Sequence, residues 1–570
     1  MQANAASDFI SRFQFYLCHR NRRASLIGQQ LTATGMLRSK VAVVGAGPSG
    51  LTMLKALRED GFAVTLYERR LRVGGLWAYS ENPSHTTALP VTRANLSKFT
   101  CGFSDYPIPD KYPTYMQPHD FQEYMEDYAK HFDLLKDIVF GADVKLARRS
   151  DDDTRWLLDV ERDGKTETVE YDRIAFCHGY QSKADIPTFE GQEKFEGVIM
   201  HSQAYRDPAQ FKGKNVVVVG LSSTSGDIIP TLMPVANKVY VSHRRGAFPF
   251  SRYRNGTPND LILNWRRRQI GNFFQRYLPR FSAWLADTSL PFLARRSFDF
   301  PFDPDWHLEP FPSITLNLPG SFELLFPYLR DGSLTSLRGL TRFTGPRSVE
   351  FADGTELTDI DAVLLCTGYN ADWSAVAPFV TTSLPPVKSY DGPPLYRLYK
   401  NIFPPAYAST CALLCYSAFG KNNGFSFADV TAWAVSNVWR GVEPPPSRAE
   451  MESAIDTHQA WIATECYARE PYCDTSMVRQ WEFQAWLHKA AGTGMENLGW
   501  GWQGWKFWWR DREMYSLMAH GVETAHAFRY FETGRRQTWE GAREAIVHVN
   551  QVVKERFPSE EEEAWWKGRR

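Results

Sequence analysis

The chain has 570 residues, and its 65 Lys plus Arg balance 65 Asp plus Glu, so the formal net charge is zero. This length suffices for two to four domains with a large core, and the balanced charge argues against both a global basic field for nucleic acid and an acidic disordered chain. Eight irregularly spaced cysteines are too few for a disulfide scaffold, and no run of 18 apolar residues predicts a membrane span.

The low cysteine content favours a reducing compartment, and we predict a cytoplasmic protein. Residues 1–39 keep a targeting role open, because their five arginines face a single acid, Asp8, as in an organellar transit peptide. A disordered extension explains the same composition and is favoured. Folded structure is predicted to begin at Lys40.

The first predicted unit is a strand, a glycine-rich turn and a helix. An apolar run from Lys40 to Val44 is followed by Gly45-Ala-Gly47-Pro48-Ser49-Gly50. In this arrangement the free N–H groups and the dipole of a helix N-terminus bind a pyrophosphate. The next strand ends at Glu68, 18 residues after Gly50, where a carboxylate can accept hydrogen bonds from a ribose diol. This loop is predicted to bind the ADP half of FAD.

A second loop of the same plan begins near residue 215. The run Asn215-Val-Val-Val-Val precedes Gly220-Leu-Ser222-Ser223-Thr224-Ser225-Gly226, with a helix predicted at 227–232. The following strand, 239–242, ends in Ser242 and is followed by Arg244, with no acid at that place. Because an arginine there can bind a 2′-phosphate, the residues favour NADPH over NADH.

Two later segments, 172–180 and 361–369, are predicted to be central strands of the flavin sheet, which places the nicotinamide domain inside the flavin domain. A hairpin with an Asp-Gly turn at 349–354 leads into the second of them. The predicted fold class is α/β, with two Rossmann-like dinucleotide-binding domains and a helical C-terminal extension. The predicted divisions are a 1–39 extension, a FAD domain at 40–212 and 350–445, an NADPH domain at 213–349 and a helical, aromatic-rich region at 446–570.

Residues 253–325 are rich in Pro, Phe, Trp and Arg and fit no simple period. Contact with a membrane surface is one reading, but no long amphipathic stripe is evident, so we predict an insertion that covers a face of the protein. The tryptophans at 500–509 are predicted to pack against a domain, with an aromatic substrate wall as the alternative.

A string between the two loops identifies a family. Phe195-x-Gly197-x-x-x-His201-x-x-x-Tyr205 resembles the identifying motif of flavin-containing monooxygenases. Three further pieces resemble the same family over residues 40–445. They are Gly74-Gly75-Leu76-Trp77, Thr92-Arg-Ala-Asn95-Leu-Ser-Lys98 and Cys366-Thr367-Gly368-Tyr369.

The resemblance implies an enzyme that uses FAD, NADPH and O2 to transfer one oxygen atom to a small molecule. Asn95 takes the place of the family's active-site asparagine, and His201 is expected to support the linker between the domains. Soft nitrogen or sulfur is the family's usual target, and tailoring of a specialised metabolite is a further option. Tyr205 favours these over Baeyer–Villiger enzymes, whose similar string ends in tryptophan; Baeyer–Villiger or epoxidising chemistry stays as the alternative.

Departures from the family pattern lie mainly in the second loop. Ser222 and Ser225 stand where glycines are usual, which predicts weaker or altered NADPH binding. A non-catalytic flavin-binding protein therefore stays open as another class. A flavin disulfide reductase would need a redox cysteine pair, and the sequence contains no C-x-x-C.

The predicted partners are a small-molecule substrate and O2, with no metal, no nucleic acid and an unknown oligomeric state. The predicted catalytic residue is Asn95. The predicted coenzyme-binding residues are Gly45, Gly47, Pro48, Ser49, Gly50, Glu68, Gly75, Leu76, Trp77, Asn95, His201, Gly220, Ser222, Ser223, Thr224, Ser225, Ser242, Arg244, Thr367 and Gly368.

Overall fold

The computed structural model describes residues 39–414 and 424–568 of the chain. The predictions made for the N-terminal extension lie almost wholly outside these residues. Within the described ranges, no helix is both long enough and apolar enough to cross a bilayer.

Two five-stranded sheets, parallel throughout, organise the described chain. The first sheet has the order β10-β4-β1-β2-β3, and the second has the order β8-β7-β6-β9-β5. Their strands are β1 (Lys40–Val44), β2 (Ala63–Glu68), β3 (Ile138–Phe140), β4 (Arg173–Phe176), β5 (Val198–His201), β6 (Asn215–Val219), β7 (Lys238–His243), β8 (Leu334–Arg338), β9 (Ala362–Leu365) and β10 (Cys411–Leu413). This architecture confirms the predicted fold class.

Helices cover both sheets and form most of the C-terminal region. They are α1 (Pro48–Glu59), α2 (Pro118–His131), α3 (Ser223–Leu232), α4 (Trp265–Tyr277), α5 (Pro279–Arg295), α6 (Phe326–Arg330), α7 (Gly424–Trp439), α8 (Arg448–Trp461), α9 (Gln480–Ala491), α10 (Trp502–Arg510), α11 (Arg512–His520), α12 (Ala542–Arg556) and α13 (Glu560–Lys567). The predicted helix of the second loop begins at Ser223, four residues earlier than expected, because the turn itself supplies the first helical residues.

The prediction that the segment around Asp361 returns to the first sheet is wrong. Strand β9 pairs with β6 in the second sheet, in the register Val216↔Ala362, and β5 pairs with the other side of β9. Strand β4 does join the first sheet beside β1, as predicted. Both strands are short and apolar, so the pattern alone does not distinguish one parallel sheet from the other.

Smaller antiparallel sheets surround the two parallel ones. The predicted Asp-Gly hairpin forms between Ser348–Phe351 and Glu356–Leu357, with Gly354 at a positive φ of 82°. A three-stranded meander beside the first sheet contains Ala142–Arg149, Trp156–Arg162 and Lys165–Tyr171. The remaining strands are Lys183–Ala184, Tyr253–Arg254, Thr257–Pro258, Leu340–Gly345, Tyr369–Asn370, Thr382–Ser383 and Leu395–Tyr396.

A buried charged cluster fixes the C-terminal region to the first sheet's helix α1. Asp105 lies 2.7 Å from the Lys55 Nζ and also pairs with Arg529, and all three side chains are nearly inaccessible to solvent. Asp429 accepts a hydrogen bond of 2.7 Å from the Ser104 N–H. Burial, together with the neighbouring Asp105 charge, raises the pKa of Asp429 to about 7. Because buried charges are tolerated only when paired, this cluster fixes where the C-terminal region packs on α1.

Helices α4 and α5 of the insertion project an apolar face outward. Ile270, Phe273 and Tyr277 on α4 are exposed at helical spacing, as are Phe281 and Trp284 on α5. No long amphipathic stripe was evident from the sequence; the exposed apolar residues form short stripes, one on each helix, which become visible once the helix boundaries are known.

Candidate active site

The first glycine loop has the geometry of an anion cradle. Gly45 adopts a φ of +99°, which positions the turn between β1 and α1. A Cβ on Gly50 would lie 1.7 Å from the Gly45 carbonyl oxygen, so only glycine permits the helix to begin so close to the strand. Pro48, which has no N–H, and Ser49 begin α1, and the Ser49 N–H has no partner within the helix.

Glu68 lies at the end of β2, beside this loop. Its Oε2 accepts a hydrogen bond of 2.6 Å from the Ala46 N–H, and its Oε1 accepts one of 2.8 Å from the Arg70 N–H. Each carboxylate oxygen keeps a second acceptor position. Glu68 therefore lies against the first glycine loop with acceptor capacity to spare.

The turn Gly75–Trp77 packs against the loop. A Cβ on Gly75 would come within 3.0 Å of the Gly47 Cα, and Gly75 itself has a φ of +54°. Leu76 accepts a backbone hydrogen bond from Ala88, and the Trp77 ring lies against Phe121 at 4.3 Å between centroids. These contacts bring the predicted flavin residues into one group.

The second loop makes the same kind of glycine turn at the end of β6. Gly220 has a φ of +107°, and a Cβ there would lie 2.3 Å from the Cys366 carbonyl oxygen at the end of β9. Gly226 packs the start of α3 against the insertion, since its Cβ would meet the Ser321 carbonyl at 2.4 Å. Gly226 therefore has a packing role of its own.

The serines of the second loop have different roles. The Ser225 hydroxyl is fully buried, accepts a hydrogen bond of 2.9 Å from the Ser222 N–H and donates to the Ser222 carbonyl. Ser223 Oγ accepts a hydrogen bond of 3.1 Å from the Ser321 N–H, and Thr224 follows it in α3. Ser222 is exposed, so it is the serine hydroxyl that the loop presents at its surface.

Arg244 lies just after β7 with an exposed side chain, and no ion pair to it occurs within the described residues. Its guanidinium stacks over the Tyr472 ring at 4.4 Å. The neighbouring Arg245 is instead paired with Glu470 at 2.8 Å. Ser242 is buried and bonds the Arg338 carbonyl and the Leu340 N–H, so the structure places it inside the sheet rather than at a coenzyme surface.

The histidine motif ends strand β5 of the second sheet, beside the end of β9. His201 Nε2 lies 3.1 Å from the Gly368 carbonyl oxygen, and its Nδ1 accepts a hydrogen bond from Gln203. Burial lowers the pKa of His201, which favours the neutral ring. Thr367 donates to the Asp185 carbonyl at 2.6 Å, so Thr367 and Gly368 lie in the linker beside the second loop. These contacts agree with a supporting role for His201.

The predicted catalytic residue lies in a braced segment, residues 92–100, called here the Asn95 segment. The Asn95 side chain is exposed and makes no hydrogen bond to any residue that the structure describes. Thr92 donates to Asp227 of α3 at 2.7 Å, which ties the segment to the helix of the second loop. Burial raises the pKa of Asp227 to about 6.

Sequence reasoning missed the residues that hold the Asn95 segment from the insertion side. Arg252 donates through Nε to the Ala94 carbonyl and through Nη2 to the Arg93 carbonyl, each at 2.8 Å. Its Nη1 lies 2.7 Å from Glu323, which also accepts a hydrogen bond of 2.7 Å from the Trp566 indole. An arginine followed by an acid 71 residues later carries no local signal, so only the folded structure reveals this network.

A cavity of about 340 Å³ lies between the segment 98–110 and helix α12. Its lining includes Lys98, Phe99, His526 and Trp539. No residue of either glycine loop lines it, so it is separate from the two coenzyme cradles.

The fold and these loops define a class of protein, an oxidoreductase with two dinucleotide-binding sheets. The family described as flavin-binding monooxygenase-like matches residues 38–558. The chain belongs to the flavin-binding monooxygenase-like family.

Known proteins resemble most of the chain. It is 34% identical over 526 residues to the monooxygenase aurF of Gibberella zeae, which covers 91% of this chain and 98% of that protein. It is 32% identical to the flavin-containing monooxygenase 5 of Oryctolagus cuniculus over 441 residues, 75% of this chain and 78% of that protein. The S-allyl-L-cysteine S-oxygenase of Allium sativum shares the fold, with a TM-score of 0.58 at 18% identity over 91% of this chain and 99% of that one.

Family membership confirms the class predicted from the motifs, an NADPH-dependent flavin monooxygenase that uses FAD and NADPH. The chain is therefore an enzyme, and the alternative of a non-catalytic flavin-binding protein is set aside.

Proposed function

We propose that the chain transfers one atom of O2 to a nitrogen or sulfur of a small organic substrate, or tailors a specialised metabolite in the same way. The support is the position of the Asn95 segment beside the helix of the second loop. The Thr92–Asp227 hydrogen bond joins the helix of the second loop to the Asn95 segment, whose amide has no partner among the described residues. A free amide beside the helix of the second loop can bond to groups that arrive with the coenzymes.

The residues present fit the two coenzymes. The turn at Gly45–Gly50 has room for glycine alone at positions 45 and 50 and leaves the Ser49 N–H without a partner in the helix, and Glu68 keeps acceptor positions for a ribose diol. Ser222 and Arg244 offer a hydroxyl and a cation to phosphate groups. When bound, the reduced nicotinamide supplies a hydride and the reduced flavin supplies the electrons that activate O2.

The protein's own contribution is position and exclusion of water. Arg252 and Asp227 fix the backbone of the Asn95 segment from two sides, so the Asn95 amide can donate or accept at a defined place. Packing of the segment around Ser321 on α3 covers the second loop and limits water near it.

A substrate screen tests the proposal. The purified enzyme is incubated with NADPH, O2 and panels of amines, thioethers and ketones, and product masses are followed. We expect a gain of one oxygen atom on nitrogen or sulfur. Conversion of a ketone to an ester would instead assign Baeyer–Villiger chemistry, and NADPH oxidation without any oxygenated product in the panels would reject the proposed substrate class.

Replacing Asn95 with alanine is expected to uncouple the enzyme. NADPH oxidation should continue while the fraction of electrons recovered as hydrogen peroxide rises several-fold, because the amide that bonds near the reacting groups is lost. Peroxide and product are measured per NADPH consumed, with Asn95→Gln as the variant that keeps the amide. Unchanged coupling in the alanine variant would remove Asn95 from the site.

Arg244→Ala is expected to raise the KM for NADPH by about ten- to a hundredfold and to leave the KM for NADH nearly unchanged, since one charge-assisted hydrogen bond to a phosphate is lost. Arg245→Ala is the matched control, because Glu470 already pairs with that guanidinium. Equal effects of Arg244→Ala on both coenzymes would contradict the assignment of a 2′-phosphate site.

A further inference from the structure

The cavity between the segment 98–110 and helix α12 is called here the α12 cavity. Its volume of about 340 Å³ falls within the ~300–1,000 Å³ that small-molecule sites occupy. Its wall is mainly apolar, and the apolar side chains are Phe99, Pro107, Ile108, Ala545, Val549 and Val552. Since neither glycine loop contributes to the wall, an occupant of the α12 cavity leaves both loops free for the coenzymes.

His526 brings an unused hydrogen-bond acceptor to the α12 cavity. The side chain lines the cavity, and only 5% of the residue is exposed. Its Nδ1–H donates to the Ser104 carbonyl at 2.9 Å, because a carbonyl oxygen can only accept. Burial lowers the pKa of His526, so the ring is neutral and Nε2 carries a lone pair. That nitrogen makes no hydrogen bond to any residue that the structure describes.

An unused donor lies next to this acceptor. The Trp539 ring also lines the cavity, and its centroid lies 5.5 Å from that of the His526 ring. Its indole N–H has no hydrogen-bond partner within the described ranges. One hydroxyl can donate to His526 Nε2 and accept from Trp539 Nε1, and the neighbouring rings suit contact with another aromatic ring. The two side chains therefore match a hydroxyl group on a flat apolar molecule.

The charges around the α12 cavity favour a neutral ligand. Lys98 Nζ donates to the carbonyls of Asp110 and Tyr112 at 2.9 and 2.7 Å, and His548 Nε2 lies 3.0 Å from Asp110 Oδ2. The Glu544 side chain is exposed on the same wall. An anionic ligand would meet Glu544 and a cationic ligand would meet Lys98, so a charge on the ligand would be desolvated without gaining a partner of its own.

We infer that the α12 cavity binds a small neutral phenol as an effector of the enzyme, with its hydroxyl between His526 and Trp539. The ring of such a ligand contacts the apolar wall, and its hydroxyl satisfies both unused polar groups without burying a charge.

The effector role follows from what the ligand touches. Phe99 belongs to both the cavity wall and the Asn95 segment. Ser97 and Thr100 hold the other side of that segment, because their hydroxyls donate to Asp260 of the insertion at 2.7 and 2.6 Å. An occupant therefore confines the Asn95 segment between α12 and the insertion. Its effect on coupling rests on the proposed role of Asn95, whereas its binding does not.

Equilibrium dialysis tests the inference on the full-length, flavin-loaded enzyme, with 4-propylphenol as the probe. We expect binding that persists when NADP⁺ is bound, because the cavity and the glycine loops share no residue. The methyl ether of the probe, which cannot donate, and 4-propylbenzoate, which is charged, are expected to bind at least about tenfold more weakly. During turnover with NADPH, the phenol should lower the peroxide formed per NADPH by about two- to tenfold.

Two variants of the α12 cavity separate the polar contact from the space. His526→Asn keeps an N–H for the Ser104 carbonyl and removes the acceptor, so it is expected to weaken phenol binding at least about tenfold. Ala545→Trp fills the cavity from α12 and should abolish both the binding and the effect on peroxide. His520→Asn changes an exposed histidine at the end of α11 and is the matched control, which should bind like the unmodified enzyme. Unchanged flavin content in each variant excludes misfolding.

Equal binding of the phenol and its methyl ether would overturn the inference, as would loss of phenol binding in the presence of NADP⁺ or full binding by Ala545→Trp. Oxygenation of the phenol that Ala545→Trp removes would make the cavity the substrate pocket and overturn the effector role. Binding without any change in peroxide would overturn that role as well. The dialysis needs no turnover, so its result is independent of the substrate screen.

Discussion

Replacing Gly50 with alanine is expected to abolish flavin binding. The added Cβ would lie 1.7 Å from the Gly45 carbonyl oxygen, and neither atom can rotate away, because the backbone fixes the position of the Cβ and the oxygen is itself a backbone atom. The start of α1 would have to move by more than 1 Å, which exceeds the adjustments that cost about 1–3 kcal/mol in a packed core. The variant should purify colourless, and flavin absorbance per protein measures the loss.

Gly271→Ala is the matched control, because nothing lies within 4 Å of the Cβ added there and its φ is not in the left-handed region. Gly220→Ala tests the second loop independently of the first, since its Cβ would meet the Cys366 carbonyl oxygen at 2.3 Å on the second sheet. That variant should stay yellow while its flavin is no longer reduced by NADPH. Full flavin content in Gly50→Ala would contradict the assignment of the first loop.

Replacing Arg252 with methionine is expected to destabilise the enzyme by about 3–5 kcal/mol, because Glu323 is left buried without its cation. The Glu323 side chain is fully inaccessible and the Arg252 side chain is 3% exposed, so water cannot substitute. The same change removes the donors to the Arg93 and Ala94 carbonyls, so the Asn95 segment should loosen and the peroxide fraction should rise. Unfolding curves and peroxide per NADPH measure the two effects.

The double variant Arg252→Met with Glu323→Met distinguishes stability from positioning. With both charges gone, the buried pair is replaced by apolar side chains of similar size, and part of the stability should return, the rest being lost because the Trp566 indole no longer has its acceptor. The carbonyls of Arg93 and Ala94 still lack their donor, so the uncoupling should persist. Recovery of both stability and coupling would show that Arg252 does not position the Asn95 segment.

Local sequence determined the two loops. Gly45 and Gly220 each follow a short apolar strand, and each adopts a positive φ that other residues rarely accept, so the turns could be placed from residue type. Glu68 and Arg244 could be placed in the same way, because each closes or follows the strand next to its loop. In both cases the glycine turn and the charged residue beside it lie within about 30 residues of each other in the sequence, the span of one strand–helix–strand unit.

The tertiary structure decided which sheet receives the strand at 362–365, since a short apolar strand buried on both faces pairs equally well by pattern with either parallel sheet. It also decided the roles of the serines in the second loop. Ser222 and Ser225 have the same side chain, yet one is exposed and the other is consumed by a hydrogen bond within the turn.

What the sequence by itself determined is the pair of dinucleotide loops and, through the histidine motif, the family. Only the tertiary structure decided what surrounds them. The Arg252–Glu323 pair and the contact between Phe273 and Trp500 each join residues separated by tens to hundreds of positions. The free energy of such contacts depends on burial and on distance in space, and neither quantity produces a periodic pattern in the sequence.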